Sequence, residues 1–184
     1  MKASQQDEHY TYADYLTWDD DARYELIDGI PYMLASPNTA HQRICMALSN
    51  QLYDFLKGKP CEVFAAPYDV RLNAGEDDDT VVQPDLLVVC DKSKLGEKSC
   101  VGAPDLIIEI LSPSSAARDK VLKFNKYWRA GVREYWIVYP DSQTVTVHVL
   151  MDGNYVTREY ADTDNVSMSV LDGCVISLPD VFAE

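Results

Sequence analysis

Two segments of the chain are continuously apolar rather than alternating between apolar and polar residues. Residues 86–89 are Leu-Leu-Val-Val, and residues 106–111 are Leu-Ile-Ile-Glu-Ile-Leu. Continuous apolar runs of this length are typical of strands that are covered on both faces. We therefore predict two central strands of one sheet here, and a further strand over residues 134–138.

Helical periodicity is clearest over residues 39–57, where Ile44, Leu48, Leu52 and Phe55 recur at the spacing of one helix face. Gly58 is placed to cap this amphipathic helix. Three further features complete the helical prediction. They are a short helix over residues 11–18 opened by a capping box, helix-start residues at 112–115, and a helix over residues 116–130 closed by Gly131.

Turn residues predict two β-hairpins. Asp28-Gly29 lies between residues 24–27 and 30–34, and an Asp-Gly-Asn turn lies between residues 145–150 and 155–159. Shorter β-rich segments are predicted at residues 62–65 and 68–72. Strands interleaved with helices indicate an α/β protein of the mixed, α+β kind, with helices flanking a central mixed sheet.

The composition fits one globular domain. The 184 residues are 47% hydrophobic, 10% aromatic and 25% charged, as in an ordinary folded protein. We predict a flexible N-terminal tail over residues 1–9 and a single domain over residues 10–184. Because no run approaches the roughly 18 apolar residues of a membrane span, we expect a cytoplasmic location and no membrane contact.

The five cysteines are predicted to be reduced thiols. They are odd in number, widely spaced and without a CxxC pair, a pattern that argues against a disulfide framework and against a zinc cluster. The three histidines show neither HxxxH nor HxH spacing. The sequence therefore does not favour a histidine-based zinc site either.

Charge limits the partners that the chain attracts. Thirty acidic and 16 basic residues give a formal charge of −14, which opposes long-range attraction to a polyanion. Four consecutive acids at 76–79 are interpreted as an exposed, solvated turn. Basic residues, however, cluster in one segment with a single acid, Asp119, which leaves open one basic patch on an acidic protein. They are Arg118, Lys120, Lys123, Lys126, Arg129 and Arg133.

Three acids carry the candidate chemistry. Glu109 interrupts an apolar strand, where a carboxylate is costly unless it is paired or bound to a metal ion; the alternative is that Glu109 faces water on an uncovered sheet face. Asp85 follows Pro84 at the mouth of the second strand, although Pro-Asp is also a common turn dipeptide. With Glu25 as a third acid, this set would suit Mg²⁺ or Mn²⁺.

Lys123 and His41 are weaker candidates. Lys123 has Asp119 and Tyr127 four residues to either side on the same helix face, where its ammonium group could meet a substrate phosphate. The alternative is a solvated row of lysines that drifts around the helix. His41 could hydrogen-bond a carboxylate or phosphate, but a surface or capping role is favoured. The aromatic group is interpreted first as core and interface packing, and a base-stacking platform is the weaker alternative: Tyr127, Trp128, Tyr135 and Trp136.

Taken in order, these motifs resemble the Uma2 family, a bacterial group within the PD-(D/E)xK nuclease superfamily. The resemblance runs from about residue 10 to the C-terminus. Its motifs are residues 24–29, Ser36-Pro37 with His41, residues 84–86, residues 109–114 and residues 119–136. It implies a restriction-endonuclease-like core, with Asp85 as the aspartate of the PD motif, Glu109 as the second acid and Glu25 as the early glutamate.

The resemblance also implies a mechanism. Asp85, Glu109 and Glu25 would bind Mg²⁺ or Mn²⁺ for hydrolysis of DNA phosphodiester bonds. Separately, we expect the protein to be a homodimer. The usual lysine position, two residues after Glu109, is Leu111, so Lys123 on the following helix is expected to substitute for it. Two alternatives stay open: a catalytically inactive, nuclease-like scaffolding homodimer, and a glycoside hydrolase that uses Asp85 and Glu109 as acid and base.

Overall fold

A computed structural model describes residues 8–19, 22–112 and 119–183 of the chain. Its helices are α1 (Tyr12–Tyr15), α2 (Thr39–Leu56), α3 (Phe124–Ala130) and α4 (Leu178–Phe182), with a 3₁₀ turn at Lys92–Lys94 and a π-helical turn at Asp119–Lys123. Its strands are β1 (Tyr24–Ile27), β2 (Ile30–Met33), β3 (Glu62–Ala65), β4 (Asp69–Arg71), β5 (Val81–Val82), β6 (Leu86–Val89), β7 (Ser99–Val101), β8 (Leu106–Ile110), β9 (Glu134–Tyr139), β10 (Thr144–Met151), β11 (Asn154–Ala161), β12 (Asn165–Ser167) and β13 (Val175–Ser177).

A six-stranded sheet with the order β11-β10-β9-β8-β6-β3 forms the centre of the fold. Strands β8 and β9 run parallel, whereas their other neighbours in this sheet pair antiparallel. The predicted mixed sheet flanked by helices is therefore confirmed. A second sheet has the order β2-β1-β5-β4-β7, and β12 pairs with β13.

Both faces of the central sheet are covered, which explains the continuous apolar runs. Leu86 and Ile108 pack into one core with the buried face of α2, whereas Leu87 and Ile107 pack into a second core on the opposite face with Tyr127 of α3. Successive side chains of a strand point to opposite faces. Strands β6 and β8 therefore need apolar residues at every position, and the prediction of two central strands is confirmed.

The local signals around α2 and the first hairpin are confirmed as well. The Asn38 side chain caps α2 by accepting a hydrogen bond from the His41 amide at 2.9 Å. Asp28 and Gly29 both have positive φ angles, 54° and 73°. A two-residue hairpin turn of type I′ requires positive φ at both positions, so Asp-Gly fits the connection between β1 and β2.

The predicted helix over residues 116–130 is confirmed only in part. Its start, with the helix-start residues at 112–115, lies largely outside the described residues. The described part opens with the π-helical turn Asp119–Lys123 and continues as α3 to Ala130, and Gly131 ends it with a φ of 85°. The π-helical turn widens the backbone directly before α3.

The acidic run is not the fully solvated turn that its composition indicated. Asp79 is buried and accepts hydrogen bonds from the Asn73 side chain at 2.7 Å and from the Thr80 hydroxyl at 3.1 Å. Asp78 accepts one from Arg71 at 3.0 Å. His9, from the predicted tail, contacts Asp79 at 2.9 Å. Half of the run therefore holds the loop before β5 in place.

A disulfide bond contradicts the prediction that every cysteine is a free thiol. Cys61 and Cys90 are bonded, with their Cα atoms 3.9 Å apart. Glu62 pairs with Val89 across β3 and β6, so the same register, continued by one residue, sets the two cysteines opposite each other. Register between strands is invisible in cysteine spacing, which is why the sequence did not reveal the bond. Disulfide bonds are rare in cytosolic proteins. This bond therefore gives the predicted cytoplasmic location no support, and that location stays a prediction.

We expect thiol titration to detect this bond. Chain purified without reductant and then denatured should expose three reactive thiols, those of Cys45, Cys100 and Cys174, whereas reduction should raise the number to the five cysteines of the sequence. Reduction should also lower the free energy of unfolding by about 3 kcal/mol, because the denatured chain loses a covalent loop. Five reactive thiols before reduction would contradict the assignment.

No helix in the described part of the chain has both the length and the apolar character needed to cross a membrane.

Candidate functional site

One open cleft, with a volume of about 260 Å³, is lined by all four predicted site residues: Glu25, Asp85, Glu109 and Lys123. Glu25 comes from β1, Asp85 precedes β6, Glu109 lies on β8, and Lys123 ends the π-helical turn. Residues from four separate segments of the chain therefore converge on one cleft. The alternative that Glu109 faces water is wrong, since its side chain is buried.

Asp85 lies beside Glu109 because β6 and β8 are antiparallel neighbours. Leu86 pairs with Ile108, and the same register continued by one residue sets Asp85 opposite Glu109. The Asp85 Oδ2 atom accepts a hydrogen bond from the Ile110 amide at 2.7 Å. The backbone of β8 therefore fixes one carboxylate next to the other.

His41 holds the other oxygen of Asp85. Its Nε2 atom lies 3.1 Å from Asp85 Oδ1, and the residue is 8% exposed. The favoured prediction of a surface or capping histidine is therefore wrong, and the predicted contact of the imidazole with a carboxylate is confirmed. Asn38 caps the helix instead. The imidazole of His41, in the first turn of α2, points toward the protein interior.

Lys123 is buried between two carboxylates. Its Nζ atom lies 2.8 Å from Glu25 Oε1 and 2.9 Å from Glu109 Oε1, and the residue is 3% exposed. A solvated position in a row of lysines is therefore wrong for this residue. Burying three charged groups is costly unless they are paired closely, so the ammonium group and the two carboxylates stabilise one another.

Tyr127 adds a second donor to Glu109. Its hydroxyl, one helical turn after Lys123, donates a hydrogen bond to Glu109 Oε1 at 2.6 Å. Burial, and then the nearby carboxylates of Glu109 and Glu25, raise the pKa of Tyr127 well above its ordinary value. The phenol therefore stays protonated and donates over the whole physiological range. The sequence placed this residue on the same helix face as Lys123 but assigned it a packing role.

Glu25 is held from the backbone of the second sheet. The backbone amide of Gln83 donates a hydrogen bond to Glu25 Oε1 at 2.8 Å. Glu25 Oε2, by contrast, is buried and has no hydrogen-bond partner within the described residues. A buried carboxylate oxygen without a donor is costly. Because Glu25 lines the cleft, this oxygen is an acceptor that a group bound there could use.

The basic patch expected from six residues lies partly outside the described residues, because these do not include Arg118. Lys123 is buried, Lys126 pairs with Asp28, and Arg133 pairs with Asp105 at 3.0 Å. Carboxylates therefore take up the charge of half of the six basic residues. By contrast, the packing role predicted for the aromatic group is confirmed for Tyr127, Tyr135 and Trp136, which are fully buried.

The donor set can be compared with the needs of a divalent ion. In the described part of the chain, no three His, Cys, Asp or Glu side chains are grouped so that they could hold a metal ion as they stand. Mg²⁺, however, is commonly bound by one or two carboxylates together with water and substrate phosphate. Asp85 and Glu109 on adjacent strands, with the unpartnered Glu25 Oε2 of a third residue that lines the same cleft, fit this smaller requirement.

The mixed sheet and its cleft of acids and a buried lysine place the chain in the restriction-endonuclease-like class of α+β proteins. Residues 12–179 match the family model of Uma2, described as "Putative restriction endonuclease". The chain therefore belongs to the Uma2 family, and the resemblance inferred from its motifs is confirmed.

Known proteins extend this similarity. An uncharacterised protein of Synechocystis sp. strain PCC 6803 is 26% identical over 84% of this chain and 82% of its own length. A second uncharacterised protein from the same organism is 32% identical over 64% of this chain and 67% of its own length. The crystal structure of "a putative nuclease belonging to DUF820" from Anabaena variabilis matches with a TM-score of 0.77 at 21% identity, covering 94% of this chain and 97% of that one. At this identity the structural match concerns the fold.

Proposed function

We propose that the chain is a metal-dependent endonuclease that hydrolyses phosphodiester bonds of DNA with Mg²⁺ or Mn²⁺. The observation that supports this most directly is the position of Asp85 opposite Glu109 on adjacent strands, beside the buried Lys123. Membership of a family described as "Putative restriction endonuclease" and a fold shared with "a putative nuclease" from Anabaena variabilis support the same reaction class.

Asp85 and Glu109, with the backbone carbonyl of Ile110, would hold the metal ion. When bound, the ion would supply Lewis-acid stabilisation of negative charge on the scissile phosphate. Glu25 and Glu109 both contact the Lys123 ammonium group. We therefore assign Glu25 a role in orienting this group, in addition to the third ligand position that the sequence predicted. The three-carboxylate ligand set stays a prediction.

The remaining contacts position these groups. His41 and the Ile110 amide hold the two oxygens of Asp85, and Tyr127 donates to Glu109. Lys123 would position the nucleophile or neutralise the charge that develops on oxygen in the transition state. Because each group is already held by a partner, little reorganisation is needed when substrate arrives. The homodimer also stays a prediction.

Cleavage of plasmid DNA with added Mg²⁺ or Mn²⁺ tests the proposal. Wild-type protein should nick the plasmid with either ion and lose this activity in excess EDTA. Asp85→Asn should be inactive, because the amide is a much weaker ligand for a hard cation than the carboxylate. Asp172→Asn, at an exposed position, is the matched control and should cleave like wild type.

Three other results would reject the proposal. Absence of cleavage with either ion at low salt would favour a catalytically inactive, nuclease-like scaffold. Cleavage that persists in EDTA would exclude dependence on a divalent ion. Equal activity of Asp85→Asn and Asp172→Asn would show that Asp85 has no part in the reaction.

A further inference from the structure

Arg23 lines the same cleft as the acids but has no part in the site described so far. It directly precedes β1, two residues before Glu25. Side chains two residues apart in an extended segment point to the same side. The guanidinium group of Arg23 and the carboxylate of Glu25 therefore face the cleft from neighbouring positions.

Gln83 fixes the orientation of this guanidinium group. Its Oε1 atom accepts hydrogen bonds from Arg23 Nε at 3.0 Å and from Arg23 Nη2 at 2.7 Å. The side-chain nitrogen of Gln83, Nε2, donates hydrogen bonds to Asp69 Oδ1 at 2.8 Å and to the Tyr15 hydroxyl at 3.2 Å. An ionised carboxylate can only accept, so the side-chain amide of Gln83 is held in one orientation, and the plane of the guanidinium group is set in advance.

This arrangement holds Arg23 without a salt bridge in the described part of the chain, and the carboxylate of Asp69 interacts with its charge only at longer range. The tethering acceptor is a neutral amide, and Arg23 forms no ion pair with any residue in the ranges 8–19, 22–112 and 119–183. Lys123, which also lines the cleft, shares its charge with Glu25 and Glu109. Only two of the five N–H donors of the guanidinium group are used by Gln83.

A charged, pre-oriented fork of donors suits a phosphate. Arginine binds phosphate through two parallel hydrogen bonds, and these bonds are strong because both partners are charged. This chain needs a local cation for phosphate binding in particular, because its formal charge of −14 repels a polyanion.

We propose that Arg23 binds a backbone phosphate of the nucleic-acid strand in the cleft, next to the scissile phosphate, and that Gln83 is its positioning residue. The proposal rests on the proposed function, since it assumes a nucleic-acid substrate. Arg23 then contributes to substrate binding, whereas Asp85 and Glu109 contribute to the reaction itself. Loss of Arg23 should therefore change KM and the salt dependence of binding more than kcat.

Fluorescence anisotropy with a labelled duplex DNA probe in EDTA, from low to moderate salt, tests this role without cleavage. Arg23→Gln should weaken binding by roughly tenfold, as loss of one charge-assisted contact predicts. The slope of log K against log salt should shrink by about 0.9, the value for one phosphate contact. Arg158→Gln, on the exposed face of β11, makes the same charge change and should leave both quantities as in wild type.

Two further measurements separate charge from geometry and from folding. Arg23→Lys keeps the positive charge but loses the paired donors of the guanidinium group. Its salt slope should therefore match that of wild type, while its affinity for the DNA probe falls several-fold. Unchanged affinity would show that the orientation of the guanidinium group does not contribute to binding. In steady-state cleavage with Mn²⁺, Arg23→Gln should raise KM roughly tenfold and change kcat little. Circular dichroism should show wild-type melting for both variants.

The outcomes distinguish this proposal from the proposed function. Wild-type protein that neither binds nor cleaves DNA would overturn both. Wild-type protein that binds and cleaves, with Arg23→Gln and Arg158→Gln showing the same affinity, slope and KM, would overturn the role of Arg23 alone. A fall in kcat without a change in KM or slope would also overturn it.

Discussion

Replacing Lys123 with methionine is expected to abolish DNA cleavage and to lower the free energy of unfolding by about 3–5 kcal/mol. Methionine has nearly the same shape, so little packing is lost. Its uncharged side chain, however, leaves Glu25 and Glu109, which are 0% and 4% exposed, facing each other without the ammonium group between them. Removing one partner of a buried ion pair is costly because the remaining charge stays desolvated.

Urea denaturation, together with single-turnover cleavage in Mn²⁺, would measure both effects. The matched control is Lys126→Met on the same helical segment, which removes a lysine paired with the exposed Asp28 and should cost no more than about 1 kcal/mol. Equal stability losses for the two variants would show that Lys123 is not held as a buried cation. A wild-type cleavage rate in Lys123→Met would show that Lys123 has no part in the mechanism. We expect the variant to retain metal binding.

The second large effect is expected for Glu109→Gln, which should slow cleavage by about 1000-fold or more. The amide keeps the size of the side chain and can still accept hydrogen bonds from Tyr127 and Lys123. It lacks the negative charge with which a hard cation is bound and the transition state is stabilised. A loss of this size corresponds to about 4 kcal/mol in activation free energy.

Glu62→Gln is the control for this variant, because Glu62 lies on β3 of the same sheet and pairs with the exposed Lys92 at 2.7 Å. Its cleavage rate should equal that of wild type. Binding of Mn²⁺, followed by calorimetry, should weaken in Glu109→Gln and stay unchanged in Glu62→Gln. A variant that binds Mn²⁺ normally but does not cleave would assign Glu109 a role other than metal ligation.

The sequence by itself determined the elements that carry local signals. The continuous apolar runs predicted β6 and β8, the period of apolar residues predicted α2, and the Asp-Gly turns predicted both hairpins. Each of these signals lies within one short segment, because burial and turn geometry constrain the residues of that segment directly. Glu109 was identifiable for the same reason, as a carboxylate within an apolar strand.

Tertiary structure alone decided which distant residues meet. The register of β3 against β6 brings Cys61 opposite Cys90, and the inward turn of His41 to Asp85 depends on where α2 crosses the sheet. Gln83 had no signal in the sequence, because its role is to contact Arg23 and Glu25 from a segment that is far away in the chain. Contacts between segments far apart in the chain follow from strand register and packing geometry, and no local pattern of apolar and polar residues encodes them.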